Sequence, residues 1–195
     1  VPLTEYHHWW TFAFGANWAR FSAFAGSVFG IQLVIEGVSA FALEAVFLGL
    51  LIFGRGKVSK KLYWISALMV FLGSHLSAFW IVSANSWMQS PSGYAVENGR
   101  IVLTNLLQAT FNPTAVIRFT HVTVAAWITG SAIALAVAAY YLLKSQHVEL
   151  FKKALRIALP PFIALTLLQA AVGHMHIMKL DPVKDAAYEG IFKTT

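Results

Sequence analysis

The chain has 195 residues, 58% of them hydrophobic and 11% charged, with a formal net charge of +6 and a mean hydropathy of +0.65. Soluble domains hold roughly 45–50% apolar and about 25% charged residues, and so short a chain must face water over much of its surface. A soluble enzyme, a disordered segment and a nucleic-acid-binding domain are therefore excluded. Cysteine is absent, which rules out disulfides, thiolate zinc sites, iron–sulfur clusters and c-type haem attachment. The composition is that of an all-α integral membrane protein.

Val1 opens the chain and no signal-peptide pattern precedes the first apolar run, so processing or truncation is expected ahead of it. Residues 1–30 are expected to form an outer interfacial segment. Its stretch Thr11–Gly30 is aromatic and glycine-containing but carries Asn17 and Arg20, which suits an interfacial helix or loop better than a fifth span. Four apolar segments follow, Ile31–Phe53, Leu62–Ser83, Ala115–Leu143 and Ala154–Val172. Each is near or above the roughly 18–20 residues that cross a bilayer as helix, and together they predict a four-helix bundle over residues 31–177. The third span opens after Asn112-Pro113, a capping residue followed by the proline that a first helical turn tolerates. Pro160–Pro161 is expected to kink the fourth span or to end its first, interfacial turn. Residues 178–195 are expected to begin an outer loop.

Eight of the 14 basic residues crowd two short turns. Arg55, Lys57, Lys60 and Lys61 lie between the first two spans; Lys144, Lys152, Lys153 and Arg156 lie between the last two, against the single acid Glu149. The positive-inside rule makes turns 54–61 and 144–156 cytoplasmic. The N-terminal stretch, the loop Ala84–Asn112 and the tail are then outside. Trp9, Trp10, Trp18 and Trp87 fall at the outer interface, and Tyr63, Trp64, Tyr140 and Tyr141 at the inner one, as amphipathic rings do.

Glu36 and Glu44 lie within the first span, where a carboxyl group is costly unless it faces the bundle interior, a partner or water. On an α-helix they stand about 80° apart around the axis and roughly 12 Å apart along it. That is too far for a shared proton and suits two stations on a proton path, although one of them reaching the interface is the plainer alternative. His75 and Ser77 are placed to supply intermediate hydrogen bonds. His121, about 12 Å into the third span, has the character of an axial haem ligand, with Arg118 on the same face to pair with a propionate. Proton relay and helix contact remain open for His121. His174 and His176 lie about 200° apart on a helix and so do not share a metal unless the helix has ended. His7 and His8 stay unassigned.

Several segments carry a family resemblance in order along the chain. Phe14-Gly-Ala-Asn-Trp18, Ile35-Glu-Gly37 with Phe41-Ala-Leu-Glu44, Gly73-Ser-His-Leu-Ser-Ala-Phe-Trp80 running into Ala84-Asn-Ser-Trp-Met-Gln-Ser-Pro91, and Asn112-Pro-Thr-Ala with Arg118-Phe-Thr-His121 resemble subunit I of cytochrome bd quinol oxidases. Pro182-Val-Lys-Asp-Ala-Ala-Tyr-Glu189 resembles the start of that family's quinol-binding loop. The resemblance covers Phe12 to Thr195. It implies that His121 ligates the low-spin haem b, that Lys184 and Glu189 bind and oxidise quinol, and that Glu44, Ser77 and Glu36 lie on a proton route from the cytoplasm. Asn85 and Trp87 take a structural or haem-environment role.

The resemblance further implies a subunit of about nine helices holding a second haem b and a haem d or third haem b. Its partners would be quinol, dioxygen, an oxidase subunit II, a small single-helix subunit and the lipid of the inner (cytoplasmic) membrane. Four helices make this chain a partial subunit or a shortened relative. Two readings of other classes stand beside it: a non-catalytic haem-b membrane anchor, and a haem-free proton-coupled transporter using Glu36 and Glu44.

Overall fold

A computed structural model describes the backbone of residues 19–192 and the side chains of residues 21–179. Trp9, Trp10, Trp18, His7, His8, Asn17 and the Phe14–Trp18 motif lie outside the described residues, as do the side chains of Arg20, Lys184 and Glu189. The chain forms two compact units, Val1–Ala115 and Val116–Thr195. Among the described residues, four helices are long and apolar enough to cross a membrane, over Phe21–Phe53, Lys60–Gln89, Ala115–Leu143 and Val148–Lys179.

In the first unit, α1 (Ala19–Ile35) runs through a π-helical segment, Glu36–Phe41, into α2 (Ala42–Phe53) without a break. Residues 19–30 therefore belong to the first membrane helix rather than to a separate interfacial segment. The reason is compositional: from Phe21 onward the chain is apolar enough to carry the helix across, and the polar Asn17 precedes it. Gly54 ends α2 by donating its N–H to the Leu50 carbonyl at 2.9 Å. Gly56 then takes φ 76°, a conformation open to glycine at no steric cost. Ser59 caps α3 (Lys60–Gln89) by accepting from the Leu62 N–H at 3.2 Å.

The stretch expected as a long loop is mostly ordered structure. Helix α3 continues to Gln89, followed by an antiparallel hairpin of β1 (Tyr94–Glu97) and β2 (Arg100–Leu103), and then the short α4 (Leu106–Thr110). The hairpin turns on Asn98-Gly99, with φ of 50° and 73°. That is the two-residue turn whose twist matches paired strands. A small core of Ala25, Val28, Phe29, Ala84, Trp87, Ile101 and Ala109 joins α1, α3, the hairpin and α4. Gly93 (φ 68°) has the Asn105 carbonyl where a Cβ would sit, so only glycine fits this corner.

The second unit contains α5 (Ala115–Leu143) and α6 (Val148–Phe192). Ser145 and His147 turn the chain between them with φ of 53° and 48°. Beside the turn, Tyr141 stacks on Phe151 with centroids 4.5 Å apart, and the Lys144 ammonium lies 4.6 Å from the Tyr140 ring centroid. Helix α6 is unbroken through Pro160–Pro161. Two missing N–H groups cost two ladder bonds there, yet the helix persists because membrane surroundings penalise any fuller opening of the backbone. It also continues to Phe192, across residues where the sequence predicts a loop.

Candidate functional site

The first candidate site lies where the first span faces α3. Glu36 is 4% exposed, and its Oε1 accepts a hydrogen bond from the Ser77 hydroxyl at 2.6 Å. Glu44 is partly buried, and its Oε1 accepts from Ser74 at 2.8 Å. Each glutamate of the first span thus has its own serine on the facing helix. The π segment explains how both reach it. A π turn takes about one more residue than an α turn, so each residue across it advances the chain by roughly 80° instead of 100°. Five such steps, from Glu36 to Phe41, take back about 100°, which turns the about 80° offset expected of a plain α-helix into one of about 20°. The two carboxyl groups share a face, which corrects the expected angular separation.

Gly73 makes the approach possible. A Cβ there would lie 3.2 Å from the Glu44 Cβ, tighter than ordinary contact, so a side chain would push Glu44 away from α3. His75 makes contacts along its own helix. Its Nδ1 lies 2.7 Å from the Phe71 carbonyl one turn back, and its ring packs on Phe71 with centroids 4.1 Å apart.

One turn beyond the carboxyl pairs the polar line continues. Buried Gln32 donates from Nε2 to Ser83 Oγ at 3.1 Å, and Ser83 donates to the Thr110 carbonyl at 2.6 Å. Asn112 accepts from Ser86 at 2.6 Å and donates Nδ2 to the Ser83 and Ala109 carbonyls at 3.2 and 3.0 Å. Thr114 completes the cluster with Ser86 and Ser90 at 2.7 and 2.6 Å. Asn112 is therefore not a side-chain cap for the helix that follows. Its amide turns back into the first unit, because several buried carbonyls and hydroxyls there need partners. Trp87, 2% exposed, donates to the Ser92 carbonyl at 2.9 Å and serves packing.

The second candidate site lies between α5 and α6. Partly buried His121 has both ring nitrogens 3.2 Å from the Gln169 amide nitrogen. One turn further along α6, Gly173 packs beside the ring; a Cβ there would lie 3.6 Å from His121 Cε1 and 4.0 Å from Nδ1, ordinary contact. The His176 ring lies 5.3 Å from that of His121, centroid to centroid. His174, two residues away, is exposed, in keeping with their opposed directions on a helix. Arg118 is partly buried one turn before His121 on α5. Among the described residues, no group of three or more His, Asp or Glu side chains is placed to hold a metal ion.

Three participants escaped sequence reasoning. Ser74 was hidden beside His75 in a run of small residues. Gln169 was signalled only by being the one amide in an apolar span, and Gly173 only by its spacing of four from Gln169. The backbone of Lys184 and Glu189 lies on the last turns of α6.

Residues 9–195 match the family model for cytochrome bd terminal oxidase subunit I. The chain is 38% identical over 185 residues to cytochrome bd ubiquinol oxidase subunit 1 of Bacillus subtilis (strain 168), covering 93% of this chain and 40% of that protein. It is 34% identical over 188 residues to cytochrome bd-II ubiquinol oxidase subunit 1 of Escherichia coli (strain K12), covering 94% and 37%. The bd oxidase structure from Geobacillus thermodenitrificans superimposes with a TM-score of 0.74 at 28% identity, over 82% of this chain and 37% of that one. The chain thus spans about two fifths of the length of these relatives. It belongs to the cytochrome bd terminal oxidase subunit I family.

Proposed function

We propose that this chain is the quinol-oxidising part of a bd-type terminal oxidase subunit in the cytoplasmic membrane, with turns 54–61 and 144–156 facing the cytoplasm. In this reading quinol is oxidised at the outer face, dioxygen is reduced within the complete subunit, and protons for that reduction enter from the cytoplasm. Oxidase subunit II and a small single-helix subunit complete the assembly.

One observation carries the reading more than any other. His121, which the family resemblance assigns to the low-spin haem b iron, sits in a membrane helix with the neutral Gln169 amide as a hydrogen-bonding partner. No carboxyl group is bonded to it among the described residues. A neutral imidazole keeps a lone pair that can bind a metal. These residues fit a haem ligand. A bound haem supplies the one-electron acceptor that side chains lack. Arg118 suits a propionate, since a guanidinium pairs well with a carboxylate.

Lys184 holds a quinol oxygen by charge and hydrogen bonding, while Glu189 accepts a proton that quinol gives up on oxidation. Protons travelling the other way pass Glu44 before Glu36, each carboxyl able to take a proton and pass it on. Ser74 and Ser77 hold the two carboxyl groups toward α3, so the path has fixed stations. The second haem b and the haem d or third haem b belong to the remainder of the subunit.

The test is a reduced-minus-oxidised visible spectrum of the full-length subunit with its partners, wild type and His121→Ala, alongside quinol-driven oxygen consumption. The variant is expected to lose the low-spin haem b band and the quinol-driven rate. A band retained undiminished would overturn the assignment.

A further inference from the structure

A neutral imidazole has one N–H and one lone pair. If its lone pair binds iron, the remaining N–H requires an acceptor, and such a partner fixes the tautomer, orients the ring and raises its basicity. The side chain within reach of His121 is Gln169, whose amide nitrogen lies 3.2 Å from both ring nitrogens. The other end of that amide, Oε1, is buried and has no hydrogen-bond partner. Amide oxygen and nitrogen have nearly the same shape, so their placement follows from chemistry. Either orientation leaves one end of the amide without a protein partner, and the chemistry of His121 decides between them. The amide lies equally far from both ring nitrogens, so either of them can carry the N–H that it accepts.

We propose that Gln169 is a positioning residue for His121: its Oε1 accepts the N–H of one ring nitrogen, which holds the ring in the tautomer that keeps the other nitrogen's lone pair for the haem iron. This rests on the haem reading of His121. A ligand whose N–H is accepted by an amide donates more strongly to the metal and favours the oxidised iron. Removing the acceptor therefore raises the midpoint potential of the low-spin haem.

The experiment compares wild type, Gln169→Leu, Gln169→Glu and His121→Ala in the full-length subunit with its partners, by redox titration of the low-spin haem b band. Gln169→Leu is expected to keep the band and to raise its midpoint potential. Gln169→Glu, which retains an acceptor at nearly the same volume, is expected to titrate at or below the wild-type potential. The proposal is overturned if Gln169→Leu leaves the potential unmoved or lowers it. It is also overturned if both substitutions raise it alike, since that is the signature of disturbed packing. Should Gln169→Leu fail to assemble, a rise in Gln169→Glu alone overturns the proposal and an unchanged or lowered value supports it. His121→Ala separates the two levels: retention of the band removes the haem reading itself, whereas its loss with no acceptor dependence at residue 169 removes only the role of Gln169.

Discussion

Ser77 on α3 donates its hydroxyl to Glu36 at 2.6 Å, across the contact between the first two membrane spans. A hydrogen bond to a carboxyl group in an apolar setting is worth about 1.5–3 kcal/mol when the acceptor is charged. Ser77→Ala is therefore expected to slow steady-state oxygen consumption by about tenfold or more, a factor that corresponds to about 1.4 kcal/mol. Glu36→Gln, which cannot carry a proton as a carboxyl does, is expected to abolish it. Oxygen uptake with excess quinol checks both, and an unaffected Glu36→Gln would remove Glu36 from the path.

His121 and His176 lie close enough to be confused as ligands, with ring centroids 5.3 Å apart. His176→Ala is expected to retain the low-spin haem b band that His121→Ala loses. Haem content per protein in the two variants measures this directly.

Lys184 and Glu189 are expected to act on quinol and not on oxygen. Glu189→Gln should lower quinol-driven turnover by about 10²-fold or more, the scale of one general base. Lys184→Ala should chiefly raise the quinol KM. Oxygen consumption driven by an artificial reductant that bypasses quinol should remain in both.

The Asn112 amide satisfies two carbonyls and one hydroxyl inside the first unit. Asn112→Leu removes one partner from each of these groups, although Ser86 keeps Thr114, and is expected to cost about 1–3 kcal/mol for a buried group left unpaired. Thermal inactivation of the purified assembly should move to lower temperature, with the haem b spectrum of the surviving protein unchanged.

Gly99 has open space where a Cβ would go, but φ 73°. Gly99→Ala is expected to destabilise the hairpin by about 1–2 kcal/mol through backbone strain alone. Gly49→Ala also meets open space, within α2, and is expected to be neutral or mildly stabilising. Paired melting curves distinguish the two.

The spans were legible because about 20 apolar residues in a row have few other uses. Glu36, Glu44 and His121 were legible because polar groups in such runs are costly and so carry meaning. The hairpin is also written in the chain, as Asn98-Gly99 between short alternating stretches, a weaker signal than the long apolar runs on either side. The extent of the first helix was obscured by Asn17 and Arg20, whose polarity masked the apolar residues after them. Ser74 and Gln169 were not legible. A serine or glutamine in a membrane helix gains its role from what faces it, and facing residues 30 and 48 positions away are not a local signal. The π segment was invisible for a related reason: its residues are ordinary helix formers, and its backbone widening has no composition of its own.

The same π segment makes residue number a poor guide to direction in the first span. It behaves as a plain helix with one residue inserted, the surplus absorbed as a bulge between Glu36 and Phe41. Without that surplus the glutamates would be seven apart, a spacing that also returns to nearly the same face of an α-helix, to within about 20°. Loss of one residue among Gly37–Ala40 can therefore be accommodated with both flanks still seated on α3. Loss of one residue anywhere else between Ala19 and Phe53 would swing everything on one side of it by about 100°. The first span is thus tolerant of a length change at a single place, and that place lies between its two carboxyl groups.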